Sequence, residues 1–107
     1  MPDDREQRLA KNETFFRETN ESLQETAIAR GAEHADFICE CSARGCVERL
    51  PITLGEYEKV RMDGDHFIVV VGHENPAIER VVQAHDGYLV VEKLGAAGDI
   101  ARESDPR

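Results

Sequence analysis

The segment Cys39-Glu40-Cys41-Ser42-Ala43-Arg44-Gly45-Cys46 holds every cysteine of the chain within eight residues. Nothing else in the sequence constrains the fold as strongly, because a buried thiolate cluster is stable mainly when a cation neutralises it. Cys39 and Cys41 stand two apart, so in an extended strand both side chains leave the same face. A turn ending at Gly45, which is free to adopt positive φ, would bring Cys46 back beside them. Three sulfurs can then converge without long-range folding. Zinc is the favoured ion, since it accepts S and N ligands and has no redox chemistry. The plain alternative is three small buried cysteines without a metal, with a redox sensor or an iron–sulfur cluster as further readings.

A tetrahedral site needs a fourth ligand, and there are four histidines. His73 follows Gly72 at the end of the most hydrophobic run, where a side chain can point towards a neighbouring hairpin turn. His34 lies five residues before Cys39 in an expected loop and is the second choice. His66 sits at the far end of the same run as His73, about 20 Å away if the strand is straight. His85 is expected at a helix C-terminus, where an imidazole favours the helix dipole. The expected ligands are therefore Cys39, Cys41, Cys46 and His73. Zinc held by three thiolates and one neutral histidine carries a net charge of −1, and Arg44 and Arg49 flank the cluster at a range suited to offset it. Solvated surface is an equally good account of both arginines.

At 107 residues the chain has the length of one domain with one modest core. Acidic residues outnumber basic ones 22 to 13, a formal net charge of −9. Nucleic-acid binding draws most of its affinity from Lys and Arg on phosphates, so it is disfavoured, as is docking on anionic membranes. No apolar run approaches the ~20 residues needed to cross a bilayer. The start Met1-Pro2-Asp3-Asp4-Arg5-Glu6 lacks the basic and apolar stretches of a signal peptide. The cytoplasm is the expected compartment, where disulfides are disfavoured and metal-bound thiolates persist.

The pattern along the chain predicts a single α+β domain: an N-terminal helical arm over 1–35, a zinc-stapled core over 36–95 and a tail over 96–107. Residues 5–30 form one long helix whose stripe is Leu9, Phe16 and Leu23, joined by Phe15, Ala27 and Ile28, with Gly31 as its stop. Asn12, Thr19 and Thr26 occupy the other seam positions, so a strict coiled coil is not supported. Phe37-Ile38 and Val47–Ile52 make a hairpin around the cysteines, the second strand alternating with Leu50 and Ile52 on one side. Thr53-Leu54-Gly55-Glu56 matches a capping box for a helix running to about Met62. His66–Gly72 is a central strand. Asn75-Pro76 opens another helix with Ile78, Val81 and Val82 as its buried stripe. Tyr88–Lys93 is a fourth strand, and the tail from Gly95 is expected to fray. The predicted architecture is a long first helix, a small, mostly antiparallel sheet of about four strands, two shorter helices and the stapled hairpin.

Enzyme chemistry is weakly supported. Catalytic zinc keeps an open coordination position, whereas His73 would close this one. A deaminase pattern needs H-x-E, but here His73 and Glu74 are adjacent and no Pro-Cys-x-x-Cys follows. There is no phosphate-binding glycine loop. The leading expectation is a non-catalytic regulatory or protein-interaction module with an unidentified protein partner. Phe15, Tyr57 and the long helix are its candidate contact points, and the helix could also form a homodimer. A thiol-based redox or metal sensor using the same cysteines is the alternative.

Several blocks together resemble a family of small uncharacterised bacterial proteins defined by a sequence pattern. They are Asn12-Glu13-Thr14-Phe15-Phe16-Arg17-Glu18, Phe37-Ile38-Cys39-Glu40-Cys41 with Cys46-Val47-Glu48, Leu54-Gly55-Glu56-Tyr57-Glu58, Gly72-His73-Glu74, Glu79-Arg80-Val81-Val82 and Val90-Val91-Glu92-Lys93. They span nearly the whole chain from residue 12. The resemblance brings no activity, but Gly-His-Glu beside the cysteine block implies His73 as a ligand.

Overall fold

The computed structural model describes residues 4–41, 43 and 45–107, with side chains from residue 12 onward. Its elements run α1 (Asp4–Ala29), β1 (His34–Ile38), β2 (Arg49–Thr53), α2 (Leu54–Val60), β3 (His66–Val69), β4 (Glu79–His85), β5 (Tyr88–Lys93) and α3 (Gly95–Glu103). The α+β class and the long first helix agree with the sequence pattern. In place of one sheet of about four strands there are two antiparallel sheets, a β1-β2 hairpin and a three-stranded sheet in the order β3-β5-β4.

The long helix ends as Gly31 predicts. Gly31 sits at φ +73, and the Ala32 N–H bonds the Ala27 carbonyl while the Gly31 N–H bonds that of Ile28. This pair of bonds is the Schellman closure that a left-handed glycine permits. Its inward face keeps part of the predicted stripe, with Ala27 buried and Leu23 packed against the core, but most of that face is polar. Among the described side chains of α1, the buried ones are Glu13, Arg17, Asn20, Gln24 and Ala27, a helical spacing carried almost entirely by polar side chains. Phe16 and Leu23 are only half-buried, and Phe15 and Ile28 are 64% and 60% exposed. The side chain of Leu9 lies outside the described residues.

In the hairpin, Leu50 and Ile52 turn into the core while Arg49 and Pro51 face solvent, the alternation expected of a half-buried strand. Thr53 then caps α2, its Oγ1 accepting from the Glu56 N–H at 3.1 Å. The Glu56 carboxylate accepts from Tyr88 Oη at 3.1 Å, which ties the helix start to β5. The central core packs Phe37, Leu50, Tyr57, Phe67, Ile68 and Val91 between hairpin, α2 and the three-stranded sheet.

Two predicted segments change type. The Asn75 cap is real, with its Oδ1 accepting from the Ala77 N–H and its carbonyl from those of Ile78 and Glu79. That turn is not propagated, and the chain enters β4 at Glu79. The β-branched Val81 and Val82 suit a strand better than a helix, and Asp86-Gly87 makes a two-residue hairpin turn that pairs His85 with Tyr88. The tail, expected to fray, forms α3. Its small residues Ala97, Gly98 and Ala101 are buried and allow close contact with the rest of the molecule, while Arg17 donates to the Ala101 carbonyl at 2.7 Å.

Candidate metal centre

The cysteine segment continues β1 beyond its last regular residue. The Cys39 N–H bonds the Glu48 carbonyl on the hairpin side, and the Glu40 N–H bonds the Ile68 carbonyl on β3. The segment thus bridges the two sheets and covers the edge of β3. Extended geometry sends Cys39 and Cys41 to one face and Glu40 to the other. The Cys46 N–H bonds the Ala43 carbonyl, and Gly45 at φ +81 supplies the left-handed step that returns Cys46 to its partners. His73 arrives from a second tight turn, in which its N–H bonds the Val70 carbonyl and Gly72 sits at φ +93.

These local features bring the expected residues together. His73 Nδ1 lies 3.7 Å from Cys39 Sγ, 3.7 Å from Cys41 Sγ and 3.6 Å from Cys46 Sγ. All four candidate ligand atoms lie within 4.8 Å of one another, an arrangement that can hold a metal ion. All three cysteines are free thiols. Cys39 and Cys41 are buried, while Cys46 and His73 are half-buried beside a shallow groove bordered by Gly45, Val47 and Arg49.

The surroundings of the sulfurs suit a bound cation. Burial pushes the thiols of both Cys39 and Cys41 up from their ordinary range, so they stay protonated at neutral pH unless a positive charge joins them. The Val70 N–H donates to Cys39 Sγ at 3.2 Å, a contact that favours the thiolate. Arg49 donates to the Asp36 carbonyl at 3.1 Å; Arg44 lies outside the described residues.

The other histidines are elsewhere. His34 opens β1 and is exposed, opposite Thr53. His85 is on β4, not at a helix end, and stacks on Tyr88 at 4.6 Å. His66 groups with Asp65 and Glu92, but Asp65 pairs with Arg102 at 2.8 Å and Glu92 with Arg80 at 3.1 Å. Their charges already have partners, so this second cluster is an ion-pair network. Glu74 is half-buried, and one of its oxygens is buried without a hydrogen-bond partner.

The residue that sequence reasoning missed is Glu40. It is fully buried and accepts from Asn20 Nδ2 at 2.9 Å, Tyr57 Oη at 2.8 Å and the Ile68 N–H at 2.9 Å. Burial nevertheless raises its carboxyl above the ordinary range, against donors that favour the charged form. The available signal was the alternation itself, since an acid between two same-face ligands must point away from them. Tyr57, expected as a possible contact point, is buried against Phe37 with ring centroids 4.2 Å apart.

Compared with family models, curated proteins and solved structures, the chain matches none.

Proposed function

We propose that Cys39, Cys41, Cys46 and His73 bind one zinc ion as a structural staple, and that the chain is a non-catalytic regulatory or protein-interaction module of the cytoplasm. The observation that carries the zinc assignment is the separation of the three sulfurs from one imidazole nitrogen, 3.6–3.7 Å. With Zn–S near 2.3 Å and Zn–N near 2.0–2.1 Å, the sulfur–nitrogen edge of a tetrahedron is about 3.5–3.6 Å. Three sulfurs and one nitrogen are a donor set zinc accepts. Four protein ligands fill the coordination sphere, leaving no position for water or substrate, so the ion holds structure together.

A protein partner fits the net charge of −9 better than a polyanion does. The exposed Phe15 and Ile28 on α1 are the contact points we assign to that partner or to a second copy of the chain. No helix among the described residues is long and apolar enough to cross a membrane. Membership of the bacterial family with the C-x-C-x4-C and Gly-His-Glu pattern belongs to the same proposal.

Native mass spectrometry of protein purified without added metal tests it directly. The expected result is one zinc per chain, with cobalt substitution giving the intense visible bands of a tetrahedral thiolate site. No metal, or two, would overturn the assignment.

One observation favours a redox or metal sensor as the second reading: Cys46 is half-exposed beside the groove and open to an oxidant. Under mild peroxide a sensor releases zinc. Zinc retained while a reference low-pKa thiol is oxidised would reject this reading.

A further inference from the structure

Asn20 grips the chain on both sides of the first cysteine. Its Oδ1 accepts from the Ile38 N–H at 2.8 Å, and its Nδ2 donates to the Ile38 carbonyl at 2.8 Å and to Glu40 Oε2 at 2.9 Å. Cys39, a proposed ligand, is the residue between these two anchor points. One face of the Cys39–Cys41 segment therefore addresses the metal, and the opposite face addresses α1 through Glu40. Tyr57 and the Ile68 N–H hold the same carboxylate from α2 and β3.

The buried contacts of the helix held in this way are mostly polar, with Leu23 packed beside them against the core. Of its residues that are buried among those described, only Ala27 is apolar; Glu13, Arg17, Asn20 and Gln24 are polar. Burial of such groups is favourable only while their hydrogen bonds and ion pairs are made.

We infer that Asn20 and Glu40 couple metal occupancy to the docking of α1, so that loading the site seats the N-terminal helix and emptying it releases the helix. This inference rests on the metal-site reading above. With the metal bound, Cys39 and Cys41 are fixed, Glu40 is held facing inward, and Asn20 meets both its anchors at once. Without it the segment from Cys39 to Cys46 loses its closure, and the two anchors are no longer held in register. Coupling between two sites is reciprocal, so the docked helix must in turn tighten the metal site.

The test uses the full chain and zinc alone as the probe. Hydrogen exchange is followed over residues 12–29 and over β4–β5, with and without zinc, and zinc affinity is measured by competition with a chromophoric chelator. Removing zinc is expected to accelerate exchange in residues 12–29 by about 5–150-fold, the usual range for coupled sites, while β4–β5 change little. Asn20→Ala is expected to weaken zinc binding about tenfold or more. Gln24→Ala serves as the control. It sits on the same helix face but contacts Glu58 and Arg107, and should leave affinity within about twofold.

One zinc bound with α1 exchange unchanged would overturn the coupling and leave the metal reading intact. So would an Asn20→Ala affinity equal to that of the parent, or a uniform rise in exchange that includes β4–β5. Absence of zinc binding would overturn both. If Asn20→Ala does not fold, exchange in the unmodified chain decides alone.

Discussion

Tyr57 donates its hydroxyl to the Glu40 carboxylate across 2.8 Å inside the core. The same ring stacks on Phe37 with an interplanar angle of 17°, so packing and hydrogen bonding at this residue can be separated by one atom. Tyr57→Phe keeps the stack and removes one of the donors to a fully buried acid. The expected loss of stability is about 1–3 kcal/mol, the cost of leaving a buried acceptor short of a partner. Zinc stoichiometry should stay at one per chain. Urea unfolding of the two proteins checks the first point and mass spectrometry the second; equal stabilities would mean that Glu40 is satisfied without Tyr57.

The fourth ligand has an equally direct test. His73→Ala removes the imidazole that faces all three sulfurs, and zinc affinity should fall by more than about 100-fold, beyond the effect of losing an outer partner of a ligand. His34→Ala alters an exposed residue at the start of β1, and should change stability by no more than about 0.5 kcal/mol with zinc affinity unaltered. Chelator competition on the two variants distinguishes them. A similar loss in both would remove His73 from its assigned role.

The convergence of Cys39, Cys41, Cys46 and His73 was legible because each part of this candidate site is local. Alternation pairs Cys39 with Cys41, Gly45 turns Cys46 back, and Gly72 turns His73 in from the end of a strand whose β-branched residues mark it plainly. Thr53 was legible as a cap for the same reason. The inward face of α1 was not, because Glu13, Arg17, Asn20 and Gln24 draw their partners from residues as distant as Arg107, and a polar helical stripe reads as a solvated surface. At Asn75 the cap chemistry exists but only one turn follows it. Val81 and Val82 satisfy a helix stripe and a strand alike, and the Asp86-Gly87 turn with its antiparallel partner decides between them. The small-residue face of α3 carries too little hydrophobicity to announce a helix, and becomes informative only beside the main chain it approaches.

Lys93 meets both Glu13 and Glu79, with all three side chains 1% exposed. Two acids thus share one ammonium in the core. Burial raises Glu79 to about 7, with the Glu74 carboxylate adding to the rise and the Asn75 N–H opposing it; burial lowers Lys93 to about 7. For Glu79 the folded value lies above the ordinary 4.5, so between pH 4.5 and about 7 the folded state holds a proton that the unfolded state has lost. The stability this proton contributes is full below pH 4.5 and is lost as pH rises through about 7. Lys93 acts in the opposite sense, its stability penalty being relieved as pH rises from about 7 to 10.5. Glu79→Gln cannot ionise. The parent should therefore lose stability relative to this variant as pH rises from 4.5 to 7. Denaturation midpoints of both proteins across that window check it, and a constant gap between them would show that Glu79 titrates at an ordinary value.

Two helical glycines should respond to alanine with opposite signs. At Gly98 in α3, an added Cβ would lie 2.7 Å from the Lys93 carbonyl oxygen and 3.3 Å from Arg102 Nη1. The guanidinium can swing away, but the carbonyl belongs to the main chain where β5 passes into α3. The helix must then lift from β5, at an expected cost of about 1–3 kcal/mol for overpacking. That exceeds the gain of roughly 0.5–1 kcal/mol that alanine brings to a helix. Gly55 in α2 has nothing within 4 Å of its added Cβ and is exposed, so only the gain remains, and Gly55→Ala should stabilise by up to about 1 kcal/mol. For a domain of this size 1 kcal/mol corresponds to a melting shift of about 4–8 °C, so both signs are readable in one calorimetric series. A stabilised Gly98→Ala would mean that α3 packs less closely on the end of β5 than its small-residue face requires.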